Sequence, residues 1–204
     1  MIDVFLVRHG QSESNAQWII AWITDVPLSE KWKQQAQLLK EYLISQNLNV
    51  DRIYSSPLIR AYDTISPYVD SQNIEITQDD RLKEKYLWVH EYRPASELFN
   101  DWFHADPYNY NDPEWYESYA ECVERLRWFF EDKIFYEKDS KILISSHAWV
   151  TRAMIAVLKN LTHEIPYLRI QNASFTHYRI DETTLNAECV TFAYDMYLRD
   201  KNLI

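Results

Sequence analysis

Four side chains able to bind or transfer a phosphoryl group stand out in the sequence. Arg8 and His9 directly precede the only glycine, Gly10, while Arg60 and His147 lie far downstream. Arginine offers planar pairs of donors that match phosphoryl oxygens, and a neutral imidazole nitrogen is a competent covalent nucleophile. Two guanidiniums and two imidazoles in an acidic chain therefore predict an anionic ligand, and a phosphoryl group suits them best.

Short apolar segments must bring these residues together. Three runs are typical of strands buried on both faces of a parallel sheet, namely residues 2–7, 51–55 and 141–146. Arg8 and His9 follow the first run, His147 follows the third, and Arg60 lies shortly after the second. Ligands of such sheets bind beyond the carboxyl ends of the strands, so we expect the four side chains to converge there.

The segment that carries Arg60 is predicted to be a helix. Ser56 and Pro57 have the order of an N-cap and a first helical residue, which places Arg60 on the first turn. Pro67 falls inside the same helix and is expected to shorten or kink it.

The remaining elements complete an alternation of strands and helices. Ser29 and Ser118 stand at the N-cap positions of two helices with apolar residues every three or four positions, and another helix follows His147. Further strands are expected at residues 74–77, 174–180 and 187–193. This alternation is typical of an α/β protein with a layered sheet.

The motifs resemble those of the histidine phosphatase superfamily, in its phosphoglycerate mutase-like branch. Residues 6–15, Leu-Val-Arg-His-Gly-Gln-Ser-Glu-Ser-Asn, resemble the family signature. Further matches follow in the family's order and spacing, at residues 27–36, 55–64, 82–84, 145–147 and 172–174. The resemblance implies one domain over residues 1–204, a three-layer α/β/α sandwich with a mostly parallel central sheet. It also implies an aromatic-rich helical cap insertion, residues 86–117, over the active site.

The resemblance gives each candidate site residue a role. His9 would attack phosphorus and become phosphohistidine, and Glu84 would protonate the leaving alcohol and then deprotonate water. The transferring oxygens would be held by Arg8, Arg60 and His147. Further phosphate or substrate contacts are expected from Gly10, where the backbone would turn tightly, Asn15 and Ala148. No metal or other cofactor is expected, because cationic side chains neutralise the transferred group.

The chain departs from the family pattern at several glycines. Ala148 follows the second histidine, Leu87 and Tyr92 lie near the acid motif, and Trp32 replaces another usual glycine. These changes affect loop shape and pocket volume more than the reacting groups. They therefore leave the substrate open.

Composition and charge exclude several classes of function. The 21 Lys and Arg against 31 Asp and Glu give a formal net charge of −10, so neither nucleic acid nor an anionic membrane is an expected partner. A single glycine cannot supply the G-x-G-x-x-G fingerprint of a Rossmann dehydrogenase. The longest apolar run, residues 18–23, is far too short to span a bilayer, and a cytoplasmic location is expected. Cys122 and Cys189 fit no metal-ligand spacing and are expected to be buried apolar groups in a reducing compartment.

Several alternatives stay open. The expected function is metal-independent hydrolysis of small organic phosphomonoesters; the alternatives are a phosphoglycerate mutase-type transferase and a non-catalytic phosphate-binding module. Glu91 is a rival to Glu84 as proton donor, and Lys83 and Lys85 on either side of Glu84 are expected to face solvent. The aromatic side chains of residues 86–116 could stack on a bulky substrate, pack beneath the insertion, or form a contact in a homodimer.

Overall fold

In a computed structural model of the protein, residues 1–85, 91–96, 117–161 and 168–199 are described. Within these ranges six strands form one sheet: β1 (Ile2–Arg8), β2 (Arg52–Ser55), β3 (Ile76–Gln78), β4 (Lys141–Ser146), β5 (Phe175–Ile180) and β6 (Ala187–Tyr194). Their order is β3-β2-β4-β1-β5-β6. The first four in this order are parallel, and β5 and β6 are antiparallel to their neighbours. The prediction of a mostly parallel central sheet is confirmed.

Helices in the described ranges connect these strands. They are α1 (Glu13–Ala16), α2 (Glu30–Ser45), α3 (Ile59–Gln72), α4 (Tyr119–Lys133), α5 (Ala148–Leu158) and α6 (Met196–Arg199), with a 3-10 turn at Asp80–Leu82. Most of the cap insertion predicted at residues 86–117 lies outside the described residues, as does Leu87. None of the helices described is long and apolar enough to cross a bilayer.

Strand β1 separates the two hydrophobic layers. Ile2, Val4 and Leu6 pack in one cluster with α4 and α5, whereas Phe5 and Val7 pack in another with α2 and α3. Successive side chains of a strand point to opposite faces, so an unbroken apolar run is what a sheet covered on both sides requires. The α/β architecture is therefore layered as helix, sheet and helix.

Helix α3 begins later than predicted, because Ser56, the residue expected to cap it, contacts His147 instead. Its N-cap is Leu58, whose backbone N–H donates to Ser56 Oγ at 3.3 Å. The same oxygen lies 2.8 Å from His147 Nε2. The helix receives its cap from a distant loop, where Asp25 Oδ1 accepts from the N–H of Ile59 at 2.7 Å.

Pro67 was expected to shorten or kink this helix, and the expectation of a shorter helix is wrong. Helix α3 continues through Pro67 to Gln72. Proline has no N–H for the carbonyl four residues earlier, that of Asp63. The Ser66 hydroxyl donates to this carbonyl at 3.1 Å and satisfies it.

The other two predicted helix starts are confirmed, with different caps. Ser118 and Glu121 form a reciprocal capping box at α4, with bonds of 3.2 and 2.7 Å. Ser29 precedes α2 as predicted, but its hydroxyl donates to Gln11 Oε1 at 3.0 Å instead of capping the helix. The Ser29 side chain therefore does not cap α2.

Asparagine replaces glycine at the ends of three helices. Asn47, Asn73 and Asn160 follow α2, α3 and α5 with φ values of 50°, 55° and 51°. Most proteins place glycine at such left-handed positions, and asparagine is the commonest substitute. This substitution explains how the chain ends its helices with almost no glycine.

The two cysteines differ from each other. Cys122 is buried on α4 as predicted, whereas Cys189 is exposed on β6. The prediction that both are buried is wrong for Cys189, because β6 is the edge strand and its side chains are poorly covered.

Candidate active site

The carboxyl ends of β1, β4 and β2 lie side by side and carry most of the predicted catalytic residues. The His9 backbone N–H donates to the carbonyl of Ser146 at 2.9 Å, and the Ser56 N–H donates to the carbonyl of Ser145 at 2.9 Å. His147 continues directly from β4. The rings of His9 and His147 consequently lie with their centroids 5.0 Å apart.

The imidazole of His9 has a defined tautomer. Its Nδ1 lies 2.7 Å from the carbonyl oxygen of Gly10, which can only accept, so Nδ1 carries the proton. Burial, with the positive charges of Arg60 and Arg8, lowers the pKa of His9 well below the usual imidazole value. The ring is therefore neutral at physiological pH and keeps a lone pair on Nε2.

His147 is fully buried, and one of its ring nitrogens makes no hydrogen bond. Nε2 contacts the Ser56 hydroxyl at 2.8 Å, whereas Nδ1 has no hydrogen-bond partner among the residues described. Burial, followed by the charges of Arg60 and other neighbours, lowers the pKa of His147 well below its usual value. A buried polar atom without a partner is rare in a native protein and suggests that a ligand completes the bonding.

The guanidinium of Arg60 is buried and held by two backbone carbonyls. Its side chain is 2% exposed, and Nη1 donates to Thr24 O at 2.8 Å while Nη2 donates to Trp22 O at 2.5 Å. Burial lowers the pKa of Arg60, and nearby carboxylates, that of Glu84 first, oppose this shift. The loop of residues 22–24 thus fixes the direction in which Arg60 presents its remaining donors.

Arg8 brings a second cation to the same edge. Its Nη1 donates to the carbonyl of Ile170 at 2.5 Å, and its Nε is a buried donor without a partner in the described ranges. Burial lowers the pKa of Arg8 to about 10, with the charge of Glu84 acting in the opposite direction. Arg8 therefore remains positively charged at neutral pH.

Glu84 lies against the first turn of α5. Its Oε1 accepts from the N–H groups of Lys85 at 3.0 Å and Val150 at 3.3 Å, and its Oε2 accepts from Trp149 N at 3.4 Å. The residue is 7% exposed, and this burial raises the pKa of its carboxyl despite the backbone donors and the charge of Arg60. Glu84 is thus buried beside the two arginines, where it favours the protonated form more than an exposed glutamate does.

The prediction that both flanking lysines face solvent is wrong for Lys85. Lys83 is half-exposed and pairs with Asp80 at 3.0 Å. Lys85 is only 8% exposed, and its Nζ lies 5.7 Å from the centre of the Trp149 ring. The aromatic face and the aliphatic stem of the lysine make this burial favourable, which the local sequence does not reveal.

Gly10 lies in a closely packed position, and its φ is not left-handed. A Cβ at this position would lie 3.3 Å from the Cβ of Trp32. The Gly10 N–H donates to Thr64 Oγ1 at 2.8 Å, and the Thr64 hydroxyl donates to the carbonyl of Arg60 at 2.6 Å. Thr64 therefore connects the loop after His9 to the helix that carries Arg60.

Asn15 is linked to the loop after His9 by the side-chain amide of Asn172, a residue of the matched motif at residues 172–174. Asn172 Nδ2 donates to the carbonyls of His9 at 3.1 Å and Gly10 at 3.2 Å, and to Asn15 Oδ1 at 3.1 Å. Ala148, also predicted to contact substrate, is the first residue of α5. Both predicted residues therefore lie at the same edge as His9 and His147.

Glu91, the rival proton donor, lies in another environment. Its two carboxylate oxygens accept from the backbone and side chain of residues 22–24. Glu84, in contrast, contacts the start of α5 immediately after His147. The geometry therefore favours Glu84 as the acid.

The contacts of Ser56 with His147 and of Thr64 with Gly10 were missed because these partners are distant in sequence. Glu91 was named only as a rival proton donor, and its contacts with residues 22–24 were not predicted. The only available signal was that Ser56 and Thr64 belong to the motif that surrounds Arg60. Among the residues described, no three His, Cys, Asp or Glu side chains are grouped so that they could hold a metal ion.

Comparison with known proteins gives one family and one fold. A family model described as the histidine phosphatase superfamily (branch 1) matches residues 4–192. Phosphoserine phosphatase 1 of Hydrogenobacter thermophilus is 32% identical over 167 residues, covering 78% of this chain and 76% of that protein. The probable phosphoglycerate mutase GpmB of Yersinia enterocolitica is 30% identical over 188 residues, covering 89% and 85%. The structure of Entamoeba histolytica phosphoserine phosphatase with 3-phosphoglyceric acid matches with a TM-score of 0.82 at 22% identity, covering 97% of this chain and 100% of that one.

Proposed function

Because the chain belongs to branch 1 of the histidine phosphatase superfamily, we propose that it hydrolyses small organic phosphomonoesters through a phosphohistidine on His9, without a metal ion. The observation that carries this proposal is the neutral His9, whose Nδ1 donates to the carbonyl of Gly10, beside the buried Arg60 and the partly buried Arg8. Two buried polar atoms that have no hydrogen-bond partner in the described part of the chain, Arg8 Nε and His147 Nδ1, add to it. Together they match a phosphoryl group, which presents several oxygens to one nucleophile.

In the first step, His9 Nε2 attacks phosphorus and the bond to the ester oxygen breaks. Arg8 and Arg60 neutralise the charge on the transferring oxygens, and His147 donates to one of them. Protonated Glu84 gives its proton to the leaving oxygen, which departs as an alcohol. The raised pKa of Glu84 supports this role, because an acid that is ionised has no proton to give.

In the second step, the Glu84 carboxylate takes a proton from water while the water oxygen attacks phosphorus. The nitrogen–phosphorus bond breaks, inorganic phosphate leaves, and both His9 and Glu84 return to their starting forms. No external acid or base is consumed over the cycle.

A mutase-type transferase is the second candidate, because one of the relatives is named a probable phosphoglycerate mutase. The two activities differ in the acceptor of the phosphoryl group, which is water in one case and an alcohol in the other. Incubation with 3-phosphoglycerate and 2,3-bisphosphoglycerate distinguishes them. A mutase forms 2-phosphoglycerate, whereas a phosphatase releases inorganic phosphate.

A screen of phosphomonoesters in excess EDTA tests the proposal. Phosphoserine, 3-phosphoglycerate and p-nitrophenyl phosphate are the first compounds to try, with phosphate release as the measurement. We expect turnover by the wild type, acid-labile phosphate on the quenched protein, and neither with His9→Ala.

Two results would contradict this mechanism. One is hydrolysis by His9→Ala at a near wild-type rate. The other is turnover that appears only when Mg²⁺ or Zn²⁺ is restored. Absence of any turnover or phosphoenzyme in the wild type, with phosphate still bound, would favour the non-catalytic phosphate-binding module.

A further inference from the structure

Glu91 lies on a segment that pairs with the loop in front of Arg60. The N–H of Ile20 donates to Arg93 O at 2.9 Å, and the N–H of Tyr92 donates back to Ile20 O at 2.7 Å. The N–H of Ala95 donates to Trp18 O at 2.7 Å. Residues 92–95 therefore pair with residues 18–20 around an antiparallel bridge between Ile19 and Pro94, which brings the Glu91 side chain to the adjoining residues 22–24.

The Glu91 carboxylate collects three donors from this loop. Oε1 accepts from the N–H groups of Trp22 at 2.8 Å and Ile23 at 3.0 Å. Oε2 accepts from the hydroxyl of Thr24 at 2.7 Å. Both carboxylate oxygens are thus occupied, and a hydrogen bond to a charged acceptor is stronger than one between neutral groups.

The same loop presents its carbonyls to Arg60. Trp22 and Thr24 each contribute one group to Glu91 and one carbonyl to the Arg60 guanidinium. Loop 22–24 is therefore held between a carboxylate on one side and a guanidinium on the other. The negative charge of Glu91 also favours the charged form of the buried Arg60.

We propose that Glu91 is a positioning residue for phosphate binding: it fixes loop 22–24 so that Trp22 and Thr24 aim the guanidinium of Arg60 at the phosphoryl oxygens. Glu91 exchanges no proton with the substrate. The inference rests on the proposed function only in assigning phosphoryl binding to Arg60.

Removing the Glu91 carboxylate should weaken phosphate binding by Arg60, although Glu91 itself does not contact the phosphate in this proposal. In Glu91→Ala, two backbone N–H groups and one hydroxyl lose their acceptor, and the loop that orients Arg60 loses its fixed shape. A displacement of about 1 Å in a positioning contact costs on the order of 100-fold in rate. Glu91→Gln keeps an oxygen for both N–H groups, and its amide can donate to the Thr24 hydroxyl oxygen.

The experiment compares these two variants by inorganic phosphate affinity and by kcat/KM on p-nitrophenyl phosphate. We expect Glu91→Ala to weaken phosphate binding roughly tenfold and to lower kcat/KM roughly 10- to 100-fold. Glu91→Gln should stay within about threefold of the wild type in both measurements. Glu75→Ala, which removes an exposed carboxylate far from this loop in sequence, is the matched control and should change neither.

A double-mutant cycle with Arg60→Ala gives the second test. If Glu91 acts through Arg60, removing Glu91 in the Arg60→Ala background should weaken phosphate binding no further. Fully additive losses would overturn the inference, as would equal defects in Glu91→Gln and Glu91→Ala with unchanged phosphate affinity, the pattern expected of a proton donor.

Two arrangements keep the test decisive. If Glu91→Ala does not fold, Thr24→Val removes one of the three donors and should weaken phosphate binding in the same direction by a smaller factor. No change in phosphate affinity with Thr24→Val would then overturn the inference. If the wild type binds phosphate but hydrolyses nothing, the proposed function fails, while the affinity measurements still decide the role of Glu91.

Discussion

The protein engages a different ring nitrogen in each of the two histidines of the site. His9 uses Nδ1–H on the carbonyl of Gly10 and leaves Nε2 as a lone pair. At His147, Ser56 contacts Nε2 and leaves Nδ1 buried without a partner among the residues described. Leu58 N–H already donates to Ser56 Oγ, so the hydroxyl proton is available to Nε2. In the proposed mechanism, His9 would therefore attack phosphorus through Nε2, and His147 would donate to a phosphoryl oxygen through Nδ1.

We therefore predict that Ser56→Ala lowers kcat/KM about fivefold, the effect of losing about 1 kcal/mol of orientation at His147. Nitrogen NMR of the imidazole should report a mixture of tautomers where the wild type has one. Ser55→Ala is the matched control, because the neighbouring hydroxyl is equally buried but donates to a backbone carbonyl. An unchanged tautomer in Ser56→Ala would contradict this role.

Glu84 should matter most for substrates with poor leaving groups. Alkyl phosphates need a proton on the departing oxygen, whereas p-nitrophenolate leaves readily without one. We predict that Glu84→Gln slows phosphoserine hydrolysis much more than p-nitrophenyl phosphate hydrolysis, measured as kcat/KM. Equal losses on both substrates would remove Glu84 from the donor role.

The pH profile follows from two shifts of pKa in the free protein. The proposed mechanism requires neutral His9, whose pKa is lowered, so we expect the rising limb of the profile well below the usual imidazole range. Activity on alkyl phosphates also requires protonated Glu84, whose pKa is raised, so the falling limb lies above the usual glutamate range. The falling limb should disappear in Glu84→Gln.

At the scale of elements, Ser56 and Asp25, which are distant in sequence, have different roles at the turn from β2 to α3. Ser56 contacts His147, and Asp25 caps the helix in its place. We predict that Asp25→Ala lowers the free energy of unfolding by about 1 kcal/mol, the usual effect of losing an N-cap. Urea denaturation measures this loss, and Asp25→Asn, which keeps an acceptor oxygen, should recover most of it. Equal loss in both variants would argue against capping as the cause.

Elements that depend on neighbours in sequence were predictable. Strands β1, β2 and β4 followed from apolar runs, and the capping box of α4 followed from Ser118 and Glu121. Features that depend on distant partners were not. The burial of Lys85 depends on Trp149, and the freedom of Ser56 from capping depends on His147 and Asp25.

At the scale of the whole molecule, the sheet order explains why the predicted residues meet. Strand β4 lies between β1 and β2, so residues from three separated parts of the chain reach one edge. The motif order predicts this convergence, but it does not show which backbone carbonyls would fix Arg8 and Arg60. Those contacts come from the carbonyl of Ile170 and from loop 22–24. Neither segment has a periodic pattern of apolar residues from which its contacts could be predicted.

Because the formal net charge of the chain is −10, binding of an anion depends on the cations nearest to it, Arg8 and Arg60 in the candidate site. We expect a doubly negative phosphomonoester, the proposed substrate, to be repelled by the chain as a whole and attracted only close to Arg8 and Arg60. Exposed charges are screened beyond about 8 Å at physiological ionic strength, so this repulsion is weak at a distance. The proposed recognition of a phosphomonoester therefore depends on Arg8 and Arg60 at short range.

The asparagines at the helix ends also affect the chain before it folds. Glycine has the largest backbone freedom of any residue, and it loses that freedom when the chain becomes ordered. Asn47, Asn73 and Asn160 adopt the left-handed conformation with fewer accessible states in the denatured ensemble. At each of these positions, the left-handed conformation introduces some steric strain in the native state. In return, asparagine loses less conformational entropy on folding than glycine would. The scarcity of glycine thus shifts part of the protein's stability from native contacts to the restricted freedom of its unfolded chain.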